Sequence, residues 1–250
     1  MDTINIEEAS SEIDEYIRLY TSHLAYLRKT IELSEKAMEI FDSGIPNNDN
    51  SHFLEIKAMH SFNALLTIAL LDLYVISKRL LVSHTNWEKL FFIKQGYLII
   101  YETIKTYGKY SQQINNLVKL KYRTLQVTYA DISTNLKKFI KEYGSDIKRV
   151  RHIIAGHIEG NFASYYDTAM SIKGETELKA ITSFISIVNA MWNLSFEIEQ
   201  ISSQEAMKEL EREGMGKSIE EYHININLKL NKLKLQIEEK IEILKSEIKQ

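Results

Sequence analysis

The sequence predicts an all-α protein, a bundle of about five to seven long helices with an amphipathic C-terminal helix. Three observations carry this. The 250 residues contain one proline and nine glycines, so the residues that usually punctuate strands and loops are nearly missing. Leu, Ile, Lys and Glu, all compatible with helix, are abundant. Apolar residues recur at three and four along most of the chain, the period of a helix with one buried face.

The first helix is expected over residues 7–41, where Ile13, Ile17, Tyr20, Leu24, Leu27 and Ile31 mark one face. SGIPNNDNSH, with the only proline, ends it. A second helix over residues 53–81 is apolar almost all round at its middle, as a helix surrounded by others would be. Asn86 is the expected N-cap of a third helix that runs to Tyr107 and closes at Gly108. A fourth is expected over residues 111–143, with Gly144 as its C-cap and Ser145 or Asp146 starting the fifth. After KGETE, a helix over residues 177–200 containing Trp192 and Phe196 forms the closing wall.

These elements make a helical domain over residues 1–203, followed by a segment of different character over residues 204–250. There Ile226, Leu230, Leu233, Ile237, Ile241, Leu244 and Ile248 step by four and three, a seven-residue repeat that suits a coiled-coil seam or a docking helix. Residues 222–237 also alternate apolar and polar, a strand pattern, so one hairpin is the alternative there. Helix is preferred because the heptad steps continue after the alternation fails.

Composition excludes several chemistries. With no cysteine there is no disulfide, thiol nucleophile or cysteine-based metal site. The start, MDTINIEEASSEIDEYIRLY, is acidic and polar where an export signal would be basic and then apolar, so a cytoplasmic location is expected. The longest apolar run, ALLTIALLDLYVI, contains Asp72 and is too short to cross a bilayer; no membrane association is expected. No phosphate-binding glycine loop and no nucleophile elbow is present. Glu220 and His223 form one Glu-x-x-His, but a di-iron bundle needs a second copy and further glutamates, so no metal site and no cofactor is predicted. His60, in the apolar second helix, reads as a core histidine.

Charge is unevenly spread. The net charge is −3, yet residues 105–151 hold eleven basic and three acidic side chains, a net +8 that leaves −11 for the rest. Tyr122, Tyr129 and Tyr143 are interleaved with these cations. Such a segment is either a solvated helix face or a surface for a polyanion with flat bases. At its end stands RVRHIIAGHIEGNF, with Arg149, Arg151, His152 and His157 within nine residues. A guanidinium offers a rigid fork of donors to phosphate, and an imidazole exchanges protons near neutral pH. Together they can hold a phosphodiester and move the proton of an attacking 2′-hydroxyl.

Arg151-His152-Ile153-Ile154-Ala155-Gly156-His157 resembles the signature of the HEPN superfamily (higher eukaryotes and prokaryotes nucleotide-binding), helical bundles that include RNA-cleaving toxins and antiviral effectors. The family pattern is an arginine, a polar residue, and a histidine after four to six intervening residues; here there are five rather than the commoner four. The resemblance implies a metal-independent endoribonuclease, built across a homodimer and restrained by an antitoxin or defence-system partner. By the resemblance Arg151 and His157 would be the key catalytic residues, with His152 beside them; the basic segment itself supplies the expected RNA-binding set, Arg149, Lys148, Lys137, Lys138 and Lys141. The other function class left open is a non-catalytic helical interaction or regulatory protein that binds through the C-terminal heptads and the basic face. On an ideal helix, six residues rotate about 240°, so Arg151 and His157 share a face only if the helix is distorted or a second subunit completes the site.

Overall fold

The computed structural model describes residues 6–44, 51–155, 162–172 and 174–212. Among them are six α-helices and no strand: α1 (Ile6–Gly44), α2 (Ser51–Leu81), α3 (Asn86–Leu120), α4 (Gln126–Val150), α5 (Phe162–Met170) and α6 (Glu175–Arg212). The chain divides into two compact units, residues 1–194 and 195–250, and the described part of the second is the C-terminal stretch of α6. The alternating and heptad-bearing residues 222–248 lie outside the described residues. No helix among the described residues is long and apolar enough to cross a membrane.

In the first unit the long helices run alternately up and down. Asp14 near the start of α1 takes the ammonium of Lys78 near the end of α2 at 2.6 Å, and Glu35 takes Lys57 at 2.8 Å. Phe62 of α2 meets Tyr107 and Tyr110 of α3. Tyr129 near the start of α4 donates to the Ser111 carbonyl of α3 at 3.1 Å. The part of α6 up to Leu194 touches α1, α2, α3 and α4 while Leu178, Lys179, Thr182, Ser183 and Ser186 stay exposed on its other side. Trp192 lies edge-on to Tyr20 of α1, Asn189 bonds Tyr74 of α2, Ile181 packs at Gly96 of α3, and Phe184 meets Phe139 of α4.

The buried face of α1 is centred on Tyr16, Tyr20, His23 and Leu27, with Ile13, Ile17, Leu24 and Ile31 half-buried beside it. Aromatic rings with polar tips fill this region, and those of Tyr20, Tyr74 and Trp192 find partners there. Tyr20 donates to Asn189 Oδ1 at 2.7 Å, Asn189 Nδ2 donates to the Tyr74 hydroxyl at 3.2 Å, and Trp192 Nε1 donates to Thr67 Oγ1 at 3.2 Å. Tyr16 stacks on Tyr74 with ring centres 4.8 Å apart. The second helix is less enclosed than its composition implies, since Ile68 and Val75 are exposed. His60 is buried in α2.

Helix boundaries in the middle of the chain differ from the sequence reading. The N-cap of α3 is Thr85, not Asn86: its side chain accepts from the Glu88 N–H at 3.2 Å while Glu88 accepts from the Thr85 N–H at 2.8 Å, a reciprocal capping box. Gly108 does not end α3, and Gly144 does not end α4. A glycine inside a helix costs only about 1 kcal/mol, less than the burial of Ile114, Leu117 and Val118 beyond Gly108, or of Ile147 and Val150 beyond Gly144. The break between α3 and α4 falls instead at residues 121–125. There the N–H groups of Lys121 and Tyr122 both cap the Leu117 carbonyl, and the side chains of Tyr122 and Leu125 turn inward. At the start of α6, Gly174 has φ +82° and its carbonyl accepts from the Leu178 N–H at 2.9 Å. That left-handed backbone is why a glycine stands there.

Candidate functional site

Because α4 continues to Val150, the Arg-His segment does not open a new helix; it terminates the basic one. Residues Arg151–Ala155 form a single π-helical turn, a wide turn found mostly as an isolated bulge and often at functional sites. The turn packs against α3, α4 and α5.

The side chain of Arg151 points at the middle of α3. Its guanidinium carbon lies 5.2 Å from the centre of the Tyr101 ring, and Nη2 is 3.6 Å from Glu102 Oε1. The imidazole of His152 stands edge-on to the same Tyr101 ring at 6.0 Å. One aromatic ring therefore supports both groups, and the carboxylate fixes the direction of the guanidinium fork. The ion pair is part-exposed, with side-chain accessibilities of 27% for Arg151 and 44% for Glu102, so solvent screening leaves it roughly 0.2–1 kcal/mol. The ring contact adds about as much. Arg151 Nε is buried and meets no acceptor among the described residues. The result is an oriented guanidinium that still has donor capacity, beside an exposed imidazole.

His157 lies outside the described residues, in the interval 156–161. The residues expected to hold RNA fall on different parts of α4. Lys137, Lys141 and Lys148 lie within about 40° of one another around the helix, opposite the buried Ile132, Leu136, Phe139, Ile147 and Val150. None of these three lysines pairs with an acid among the described residues. Lys138 lies about 60–100° further round the helix, at a shallow groove shared with α6 that also holds Glu142. Arg149 is occupied by Asp146 at 3.2 Å. Lys148 and Arg149 are within a turn of Arg151, whereas Lys137, Lys138 and Lys141 are about 15–21 Å away along the axis.

Tyr101 and Glu102 are the residues that the sequence reading missed. They belong to no local pattern with Arg151, since about fifty residues separate them. Their proximity follows from the antiparallel pairing of α3 and α4 about the break at 121–125, which brings the middle of α3 beside the turn that follows α4. Nearby, Tyr97 is a further polar group of the same region. Burial raises its hydroxyl pKa, and the charges of Glu177 and Asp146 raise it further, so the group stays protonated. Among the described residues, no three His, Asp or Glu side chains come together as metal ligands. No family model, curated protein or solved structure matches this chain.

Proposed function

We propose that this protein is a metal-independent RNA endonuclease of HEPN type, acting as a toxin or antiviral defence effector. The observation that carries the reading is the Arg151 guanidinium, oriented by Tyr101 and Glu102 on a π-helical turn at the end of the basic helix. In this reading Arg151 holds the scissile phosphate and stabilises the charge that develops on it. His157 exchanges protons with the 2′-hydroxyl or the leaving oxygen. His152, held against Tyr101, is an auxiliary donor. Attack by the internal 2′-hydroxyl needs a base, an acid and an anion-stabilising group, all of which Arg and His supply without a metal. A homodimer that brings two copies of the segment together belongs to the same proposal, as does a restraining antitoxin or defence-system partner.

The test is cleavage of single-stranded RNA by purified protein in EDTA, with end-group analysis of the products. A 2′,3′-cyclic phosphate is expected, and His157→Ala should slow cleavage by about 10²- to 10⁴-fold with little change in RNA affinity. Arg151→Lys should fail similarly, because the ammonium keeps the charge but loses the fork. If the wild type leaves RNA intact, or if His157→Ala cuts as fast as wild type, the reading is wrong. The basic face would then belong to a helical interaction protein.

A further inference from the structure

Between the C-terminal half of α3 and the N-terminal half of α4 lies an open groove of about 760 Å³. Its polar rim includes Lys119 and Gln112 and Asn115 from α3, and Lys137, Tyr129 and Thr134 from α4. Two lysines and no acidic residue line it. The hydrogen bond from the Tyr129 hydroxyl to the Ser111 carbonyl holds that half-buried ring in the groove wall. Tyr107, whose hydroxyl burial keeps protonated, lies at the floor.

We propose that this groove is a binding site for single-stranded RNA, taking an unstacked base and its neighbouring phosphates at a distance from the cleavage site. The chemistry matches at three points. Side-chain amides carry donors and acceptors on one plane, as base edges do. Lysines without acidic neighbours suit phosphate oxygens. An aromatic wall offers a surface for a base that has left its stack. The groove also lies on a path: Lys137 at its rim, Lys141 and Lys148 share one face of α4, and that face leads to Arg151. The path is about 21 Å of helix from Lys137 to Arg151, several nucleotides of a single strand. Lys138, which lines the other groove beside Glu142, is off this line.

The site of binding is independent of catalysis, but the choice of RNA as occupant rests on the nuclease reading, so the assay separates the two. Binding is measured by fluorescence anisotropy with the full chain and a labelled ten-nucleotide RNA made uncleavable by 2′-O-methylation. Ala130→Trp, which fills the groove from an exposed lining position, should weaken binding about tenfold or more. Lys137→Ala should weaken it and reduce the slope of log affinity against log salt by about 0.7. Lys29→Glu, a larger charge change on exposed α1 surface, is the control and should change affinity less than Lys137→Ala. A dinucleotide spanning only the Arg151 end should not sense Ala130→Trp. The proposal is overturned if Ala130→Trp binds the ten-nucleotide RNA like wild type while retaining its helical circular dichroism. It is also overturned if Lys29→Glu weakens binding as much as Lys137→Ala, or if polyglutamate displaces the RNA at equal charge concentration, which would mark a site for an acidic protein. Groove-dependent binding without any cleavage would sink the nuclease reading and leave the groove standing; cleavage dependent on His157 but indifferent to Ala130→Trp would do the reverse.

Discussion

Asn189 is the hinge of the buried polar network, and replacing it by leucine tests how that network holds α6 to α1 and α2. The side chain is 6% exposed and bridges two buried hydroxyls, accepting from Tyr20 at 2.7 Å and donating to Tyr74 at 3.2 Å. Leucine keeps the branched shape and the number of side-chain heavy atoms and is somewhat larger, so no cavity follows and the main loss is of hydrogen bonds. Tyr20, with no exposed surface, is left with a donor and no acceptor; Tyr74 loses a donor aimed at its oxygen. An unsatisfied buried polar group costs roughly 1–3 kcal/mol, so Asn189→Leu should destabilise the first unit by about 2–5 kcal/mol. For a chain of this size that is a fall in melting temperature of roughly 5–15 °C. The assay is urea unfolding followed by tyrosine and tryptophan fluorescence, with Tyr20→Phe as the second arm of a double-mutant cycle. Alone, Tyr20→Phe should destabilise by about 1 kcal/mol; on top of Asn189→Leu it should stabilise, because it removes the orphaned donor. If Tyr20→Phe has the same sign in both backgrounds, the network does not hold these helices in the way described.

Four other outcomes follow from single sites. Gly108→Ala should stabilise by about 0.5–1 kcal/mol, because nothing lies within 4 Å of the added Cβ. Gly96→Ala should destabilise by about 1–3 kcal/mol, since its Cβ would sit 2.8 Å from Ile181 Cδ1 in the core; chemical denaturation of the pair checks the contrast. Bonds from the Thr85 backbone and side chain and from the His84 N–H hold the Glu88 carboxyl below its ordinary 4.5. A depressed carboxylate stabilises fully above its unfolded value and loses that effect as pH falls through the folded one. The melting-temperature gap between wild type and Glu88→Gln should therefore be constant from neutral pH down to about 5 and close in more acid solution; a gap that widens there contradicts the capping box. Glu102→Gln should tighten RNA binding by up to about fivefold, by freeing the Arg151 charge, yet lower the cleavage rate at saturation because the fork loses its fixed direction. A rise in kcat would show that the carboxylate merely competes with substrate.

The helical class was legible because it depends on a property spread along the chain: sustained apolar periodicity with almost no proline. Boundaries were less so, and the reason is visible at Gly108 and Gly144. Each looks like a stop, but a helix stops where continuing would expose more than it buries, and apolar residues beyond both glycines lie on the buried face. The real break, at residues 121–125, uses neither glycine nor proline; it is made by Tyr122 and Leu125 turning inward, a tertiary event with no local signature. That misplacement also hid the supporting residues of the candidate site. With α3 ending at Leu120 and α4 antiparallel to it, Tyr101 and Glu102 are the positions that face Arg151 and His152. Arg151 and His152 themselves were found from residue chemistry alone, which needs no boundary. The division of the lysines was out of reach for the same reason as Tyr101: Lys137 and Lys138 are adjacent in sequence and lie in different grooves.

The wide turn at Arg151–Ala155 has a meaning for how such a segment could change in length. A turn closed by bonds to the fifth residue contains one residue more than a turn closed to the fourth, so it is the shape a helix takes when it has absorbed an insertion without displacing what lies on either side. A helix end that can swell by one residue lets an arginine keep its seat against Tyr101 and Glu102 while the chain beyond it is free to lengthen.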